Sequence, residues 1–175
     1  MKPVIVNLSL FKAAWLATVF GAAASMPLLG LAAVSVAVIV HVARAPRAKS
    51  EILLLATAGI FGLVWESLMV ATGVLEYPAG MLLPGFAPYW IVAIWILFAT
   101  TINVGMRWLH KSLLVASLAG AACGPLSFLA GAKAGAVLLA DPIISPLVIG
   151  IGWAFLLPAL MIVARRLEKP ELAIA

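Results

Sequence analysis

An all-α integral membrane fold, a bundle of six transmembrane helices, is predicted by three features of this 175-residue sequence. Hydrophobic residues make up 66% of it and charged residues only 10%, whereas a water-soluble domain carries about 25% charged residues to wet its surface. Uncharged runs recur at lengths close to the about 20 apolar residues that cross about 30 Å of hydrocarbon. Lysine and arginine fall in clusters after alternate runs. Together these features exclude intrinsic disorder and soluble enzyme folds, and the whole chain, 1–175, reads as a single membrane domain.

Between Ala13 and Ala43 nothing is formally charged at neutral pH, but Met26-Pro27 in the middle of that run reads as a turn. The first helix is therefore expected over 4–25, taking in Lys12, and the second over 27–43. A third covers 51–75 and is interrupted only by Glu66. The Pro- and Gly-rich stretch from Glu76 to Pro88 is a loop, and a fourth helix follows over 89–109. The fifth, 112–131, should kink at Gly124-Pro125, because proline removes a helical hydrogen bond and crowds the preceding turn. The stretch from Gly124 to Asp141 is expected to end as a short interfacial or re-entrant helix, and the sixth span covers 143–163.

Charge sets the orientation. With the N-terminus in the cytoplasm, Lys2, Arg44, Arg47, Lys49, Arg107, Lys111, Arg165, Arg166 and Lys169 lie on the cytoplasmic side, leaving only Lys133 outside. A five-span alternative, with 13–43 as one long helix, would move Lys2 and Lys12 outside and spoil this asymmetry. The formal charge of +5 is thus a topology signal, and no nucleic-acid partner is expected. A cleavable signal peptide is disfavoured because Lys12 interrupts what would be its hydrophobic core. One cysteine, Cys123, precludes a disulfide within the chain and reads as a small buried residue. His41 and His110 sit near cytoplasmic helix ends, so neither a metal site nor a cofactor is expected. No Ser-His-Asp set, HExxH, P-loop or GxGxxG occurs in a suitable setting.

Glu66 is the most informative residue. It lies about 22 Å from the cytoplasmic start of its helix at 1.5 Å per residue, where a carboxylate costs on the order of 3 kcal/mol. It should therefore face protein or water. Gly59, Gly62 and Gly73 fall near the same helical face, where small residues admit a neighbouring helix or a ligand. Glu66 thus reads either as an acid in a buried cavity or as interhelical glue. Lys12, on the cytoplasmic half of the first helix, could reach toward it or snorkel to headgroups. Thr100, Asn103 and Arg107 form a polar stripe that either packs or lines a cavity. Trp15, Trp65, Trp95 and Trp153 lie deep, and Trp65 and Trp95 are candidates to line an apolar cavity. Trp90, Tyr77 and Tyr89 suit the outer interface and Trp108 the inner one. Gly120-xxx-Gly124 and Gly131-xxx-Gly135 are small-residue packing patterns.

The residues from Gly62–Glu66 through Gly73, Pro88-Tyr89-Trp90, Trp95–Thr101 and Trp108 resemble those of the bacterial inner-membrane family DUF2878. Gly124-Pro125-Leu126-Ser127-Phe128, the stretch Ala130–Ala136, Trp153 and Pro158 extend the resemblance, which covers most of the chain from the third helix onward. It implies a multi-pass protein of the inner membrane, to which the charge pattern adds that both termini are cytoplasmic, and it supplies no catalytic residues. Such families are often encoded beside genes for modifying membrane fatty acids, so the resemblance also implies a link to lipid metabolism.

The expected function is to bind or help process a lipid-like molecule in an intramembrane cavity around Glu66, with membrane lipids as partners. The alternatives are a small proton-coupled transporter using Glu66, Asn103 and Lys12, or a non-catalytic subunit of a membrane complex. A homo-oligomer or a membrane-protein partner fits either alternative, and whether the protein is an enzyme stays open.

Overall fold

A computed structural model describes residues 2–168; Lys169, placed above among the cytoplasmic charges, lies outside the described residues. These residues form six α-helices, five of them long and apolar enough to cross a membrane. They are α1 (Lys2–Ala23), α2 (Pro27–Arg44), α3 (Ala48–Ala71), α4 (Tyr89–Ile102), α5 (Leu113–Lys133) and α6 (Ile144–Glu168). A two-residue strand β1 (Leu75–Glu76) pairs antiparallel with β2 (Leu138–Leu139), Leu75 opposite Leu139. This clasp ties the α3–α4 loop to the α5–α6 loop at one end of the bundle. Ser145 reinforces it by donating its hydroxyl to the Val74 carbonyl at 2.9 Å.

The turn predicted at Met26-Pro27 is present, with Ser25 in the left-handed region at φ 58° and Pro27 opening α2. The α1–α2 hairpin is tight: a Cβ at Gly30 would overlap Thr18. Thr18 is fully buried and returns its hydroxyl to the Ala14 carbonyl at 2.7 Å, which satisfies it within its own helix.

Three expectations fail for identifiable reasons. The fourth span is not a helix over 89–109. α4 has 14 residues, about 21 Å at 1.5 Å per residue, and gives way at Asn103 to a turn and a 3-10 segment, Arg107–Lys111. Nine of its residues are buried, because α1, α2 and α3 all pack against it. Irregular backbone is tolerated at membrane depth when protein surrounds it. α5 runs unbroken through Pro125 to Lys133, so no re-entrant segment starts at Gly124. Finally, α3 ends at Ala71, and Gly73 lies beyond it at φ +70° with nothing within 4 Å of its would-be Cβ. Gly73 is a turn residue rather than part of the packing face.

Candidate functional site

Two spaces lie on opposite sides of α4, and the candidates from the sequence divide between them. The first is a cavity of about 460 Å³ bounded by α1, α4, α5 and α6, with an almost wholly apolar lining. Five of the six tryptophans line it: Trp15, Trp90, Trp95, Trp108 and Trp153. Trp95 stacks on Trp153 with centroids 4.7 Å apart and an interplanar angle of 24°, and Phe98 meets Trp153 edge-on at 5.3 Å. Glycines make room for these rings, since a Cβ at Gly62 would overlap Trp95 and one at Gly124 would overlap Trp153. Gly120 approaches the Trp153 backbone equally closely. A Cβ at Gly59 would come within 3.1 Å of Ile96 on α4. α1 packs on α2 and α4 while α5 packs on α6, and α1 and α5 scarcely touch each other, which leaves a gap between them beside the cavity. Cys123 lines it there and is exposed, contrary to the buried cysteine expected.

Glu66 stands one side chain behind the cavity wall, fully buried. The Tyr77 hydroxyl donates to its Oε2 at 2.7 Å, and the indole N–H of Trp95 donates to its Oε1 at 2.9 Å. Both donors line the cavity, so the carboxyl touches that space through the two rings it holds. Tyr77 and Trp90 are not interfacial anchors: they are 1% and 2% exposed and pack edge-on, centroids 5.4 Å apart. Trp90 donates its indole N–H to the Ala79 carbonyl at 2.8 Å. Sequence reasoning missed Tyr77 as the second donor because its companion Tyr89 and the flanking prolines suggested a membrane–water boundary. Trp65 lies elsewhere, its ring where a Cβ on Gly152 of α6 would be.

The second space is a polar basin of about 740 Å³ at the end of the bundle that holds the N-terminal end of α1, the α2–α3 turn and the end of α4. Asn103 and Thr100 line it, with no contact to Glu66. The Asn103 amide donates to Glu51 Oε1 at 2.8 Å, and His41 Nε2 donates to Glu51 Oε2 at 3.0 Å. Asn7 donates its side-chain amide to the Thr100 carbonyl at 3.0 Å. Arg44, Arg47 and Arg107 complete the rim. Arg107 grips the Glu168 carboxylate with two nitrogens, at 2.8 and 3.4 Å, and Arg47 donates to the Glu168 carbonyl. Glu51 and His41 were not singled out from the sequence, where each looked like a helix-end residue near water. The short Ala45–Arg47 turn folds two positions ten apart onto one another. Phe11 borders both spaces.

Lys12 is exposed and lines neither space, and among the described residues it forms no ion pair with Glu66. The continuous polar route through Lys12, Glu66 and Asn103 is therefore not assembled: Glu66 answers to Tyr77 and Trp95, Asn103 to Glu51.

No curated protein and no solved structure matches the chain. A family model described as "Protein of unknown function (DUF2878)" matches residues 4–159. Since that match spans most of the sequence, the chain belongs to the DUF2878 family.

Proposed function

We propose that this multi-pass membrane protein binds a lipid-like, apolar molecule in the tryptophan-lined cavity, drawing it from the bilayer through the gap between α1 and α5. The observation that carries this reading is the cavity itself. Its volume of about 460 Å³ falls within the about 300–1,000 Å³ typical of small-molecule sites, and its lining suits hydrocarbon. An aqueous solute would find almost no hydrogen-bonding partner there, whereas an acyl or prenyl chain would exchange one apolar surrounding for another and gain packing on the rings. Glu66 acts as a positioning residue: its two hydrogen bonds fix Trp95 and Tyr77 in the wall. Membrane lipids are thus the proposed partners.

For localisation we propose the bacterial inner membrane with both termini cytoplasmic. Arg44, Arg47, Arg107 and Glu168 meet at the end where α1 begins and α6 finishes, and an excess of Lys and Arg marks the untranslocated side.

The test uses the cavity's own tryptophans. In bilayers containing lipids brominated along the acyl chain, fluorescence should be quenched well beyond the level expected for the exposed Trp108 alone. Gly62→Val, which pushes the Trp95 ring out of place, should reduce that excess. Quenching no greater than in a variant with Trp95 and Trp153 both changed to Phe would refute the reading. So would purification in mild detergent with no lipid enriched over the bulk membrane.

A further inference from the structure

The polar basin has a use that the apolar cavity does not supply. Three guanidinium groups, Arg44, Arg47 and Arg107, line it against two carboxylates, Glu51 and Glu168. Glu51 is saturated, since His41 and Asn103 each donate to one of its oxygens. Glu168 shows what the guanidiniums accept: its carboxylate sits in the fork of Arg107, with Arg47 on its backbone oxygen. That pair is a loose one, with side chains 64% and 28% exposed, and exposed pairs of this kind hold weakly. Arg44 lines the same space and donates to no side chain or carbonyl among the described residues. Planar guanidiniums bind phosphate in the same forked geometry as carboxylate, and a phosphate monoester brings more charge and more acceptor oxygens than Glu168. Part of the lining is apolar, built from Val4, Val6, Leu10 and Val40.

From this juxtaposition of a loosely held internal carboxylate, three arginines and a partly apolar lining, we infer that the basin is a binding site for a phosphate group, which displaces Glu168 from Arg107 and is met by Arg44. The site is separate from the tryptophan cavity and stands whether or not that cavity holds a lipid. The phosphate can belong to a lipid headgroup, whose chains would lie against the apolar part of the lining, or to a free phosphate ion.

Full-length protein in detergent would be titrated with phosphatidic acid, with diacylglycerol as the phosphate-free counterpart and with inorganic phosphate, and the bound species counted by native mass spectrometry. Phosphatidic acid should bind and diacylglycerol should not compete. Arg44→Gln and Arg107→Gln should each weaken binding about tenfold, the loss of one charge-assisted contact. Arg107→Lys keeps the charge but loses the fork, so it should fall between, which guards against a misfolded Gln variant. Glu168→Gln should tighten binding about twofold to threefold by releasing Arg107. Lys111→Gln, an exposed charge that does not line the basin, should change nothing. Inorganic phosphate binding with the same arginine dependence would assign the soluble ion, and binding of phosphatidic acid alone would assign the lipid. The proposal is overturned if neither binds, if Lys111→Gln costs as much as Arg107→Gln, or if Glu168→Gln weakens binding.

Discussion

Two glutamates on one helix show how surroundings divide a single side chain between roles. Glu51 and Glu66 both belong to α3 and both are buried. Glu66, at the apolar cavity, meets only neutral donors, a phenol and an indole. It is walled off completely, so its effect on any ligand passes through the rings it fixes. Glu51, at the polar basin, meets an imidazole and an amide and lines the open space. Arg44, Arg47 and Arg107 line the same space. One carboxyl serves as scaffold and the other as part of a wetted surface, although both lie on the same run of apolar sequence.

Substitutions can break or sharpen this contrast. The largest effect is expected from Glu66→Ala, which strands the Tyr77 hydroxyl and the Trp95 N–H in a dry interior. Each abandoned donor costs about 1–3 kcal/mol, so unfolding in mixed micelles should show a loss of about 3 kcal/mol or more. A near-silent Glu66→Ala would mean the carboxyl is not holding those rings. Next comes Gly62→Val, where a side chain must share space with the Trp95 ring. Overpacking of this kind costs about 1–3 kcal/mol, and the same unfolding assay should register it together with the reduced quenching. Glu51→Gln should cost less, about 1 kcal/mol. Its amide oxygen can still accept from Asn103, and water in the basin can satisfy His41. Should Glu51→Gln prove as damaging as Glu66→Ala, the distinction between a dry and a wet glutamate would fall.

The smallest effect concerns Asp141, at the clasped end. The backbone N–H groups of Ile143 and Ile144 both donate to its Oδ1 at 2.7 Å and hold its carboxyl below the ordinary value of 3.8. Its contribution to stability is therefore complete above that value and is lost as pH falls through the lower, folded-state pKa. Asp141→Ala should lower the thermal midpoint slightly at neutral pH, and the gap to wild type should close as the pH falls below the lowered folded-state pKa. A gap that persists there would mean the carboxylate is not the group that matters.

Hydropathy made five of the helices legible, because an uncharged run long enough to span oil has few other uses. It misjudged α4 because it counts charge, not backbone. Asn103 and Gly105 carry turn propensity but no charge, so nothing before Arg107 marks a stop, while the helix ends at Ile102. Glu66 was conspicuous for the same reason that α3 was: a lone acid stands out against apolar neighbours. Of its companions, Trp95 reads as a cavity aromatic and Tyr77 as an interfacial one, but their bonds to it are not legible, since a tyrosine 11 positions on and a tryptophan 29 positions on are joined to it only by folding. The basin was harder still. His41, Glu51 and Arg107 each sit where helices meet water, and a charged residue at such a place needs no special explanation. Only the folded chain shows that the α2–α3 turn and the end of α4 bring them around one space.

Phe11 lines both that space and the tryptophan cavity. A benzyl side chain turns about two bonds, and its preferred orientations about the first are discrete. A change at this one residue would therefore be felt in both compartments at once.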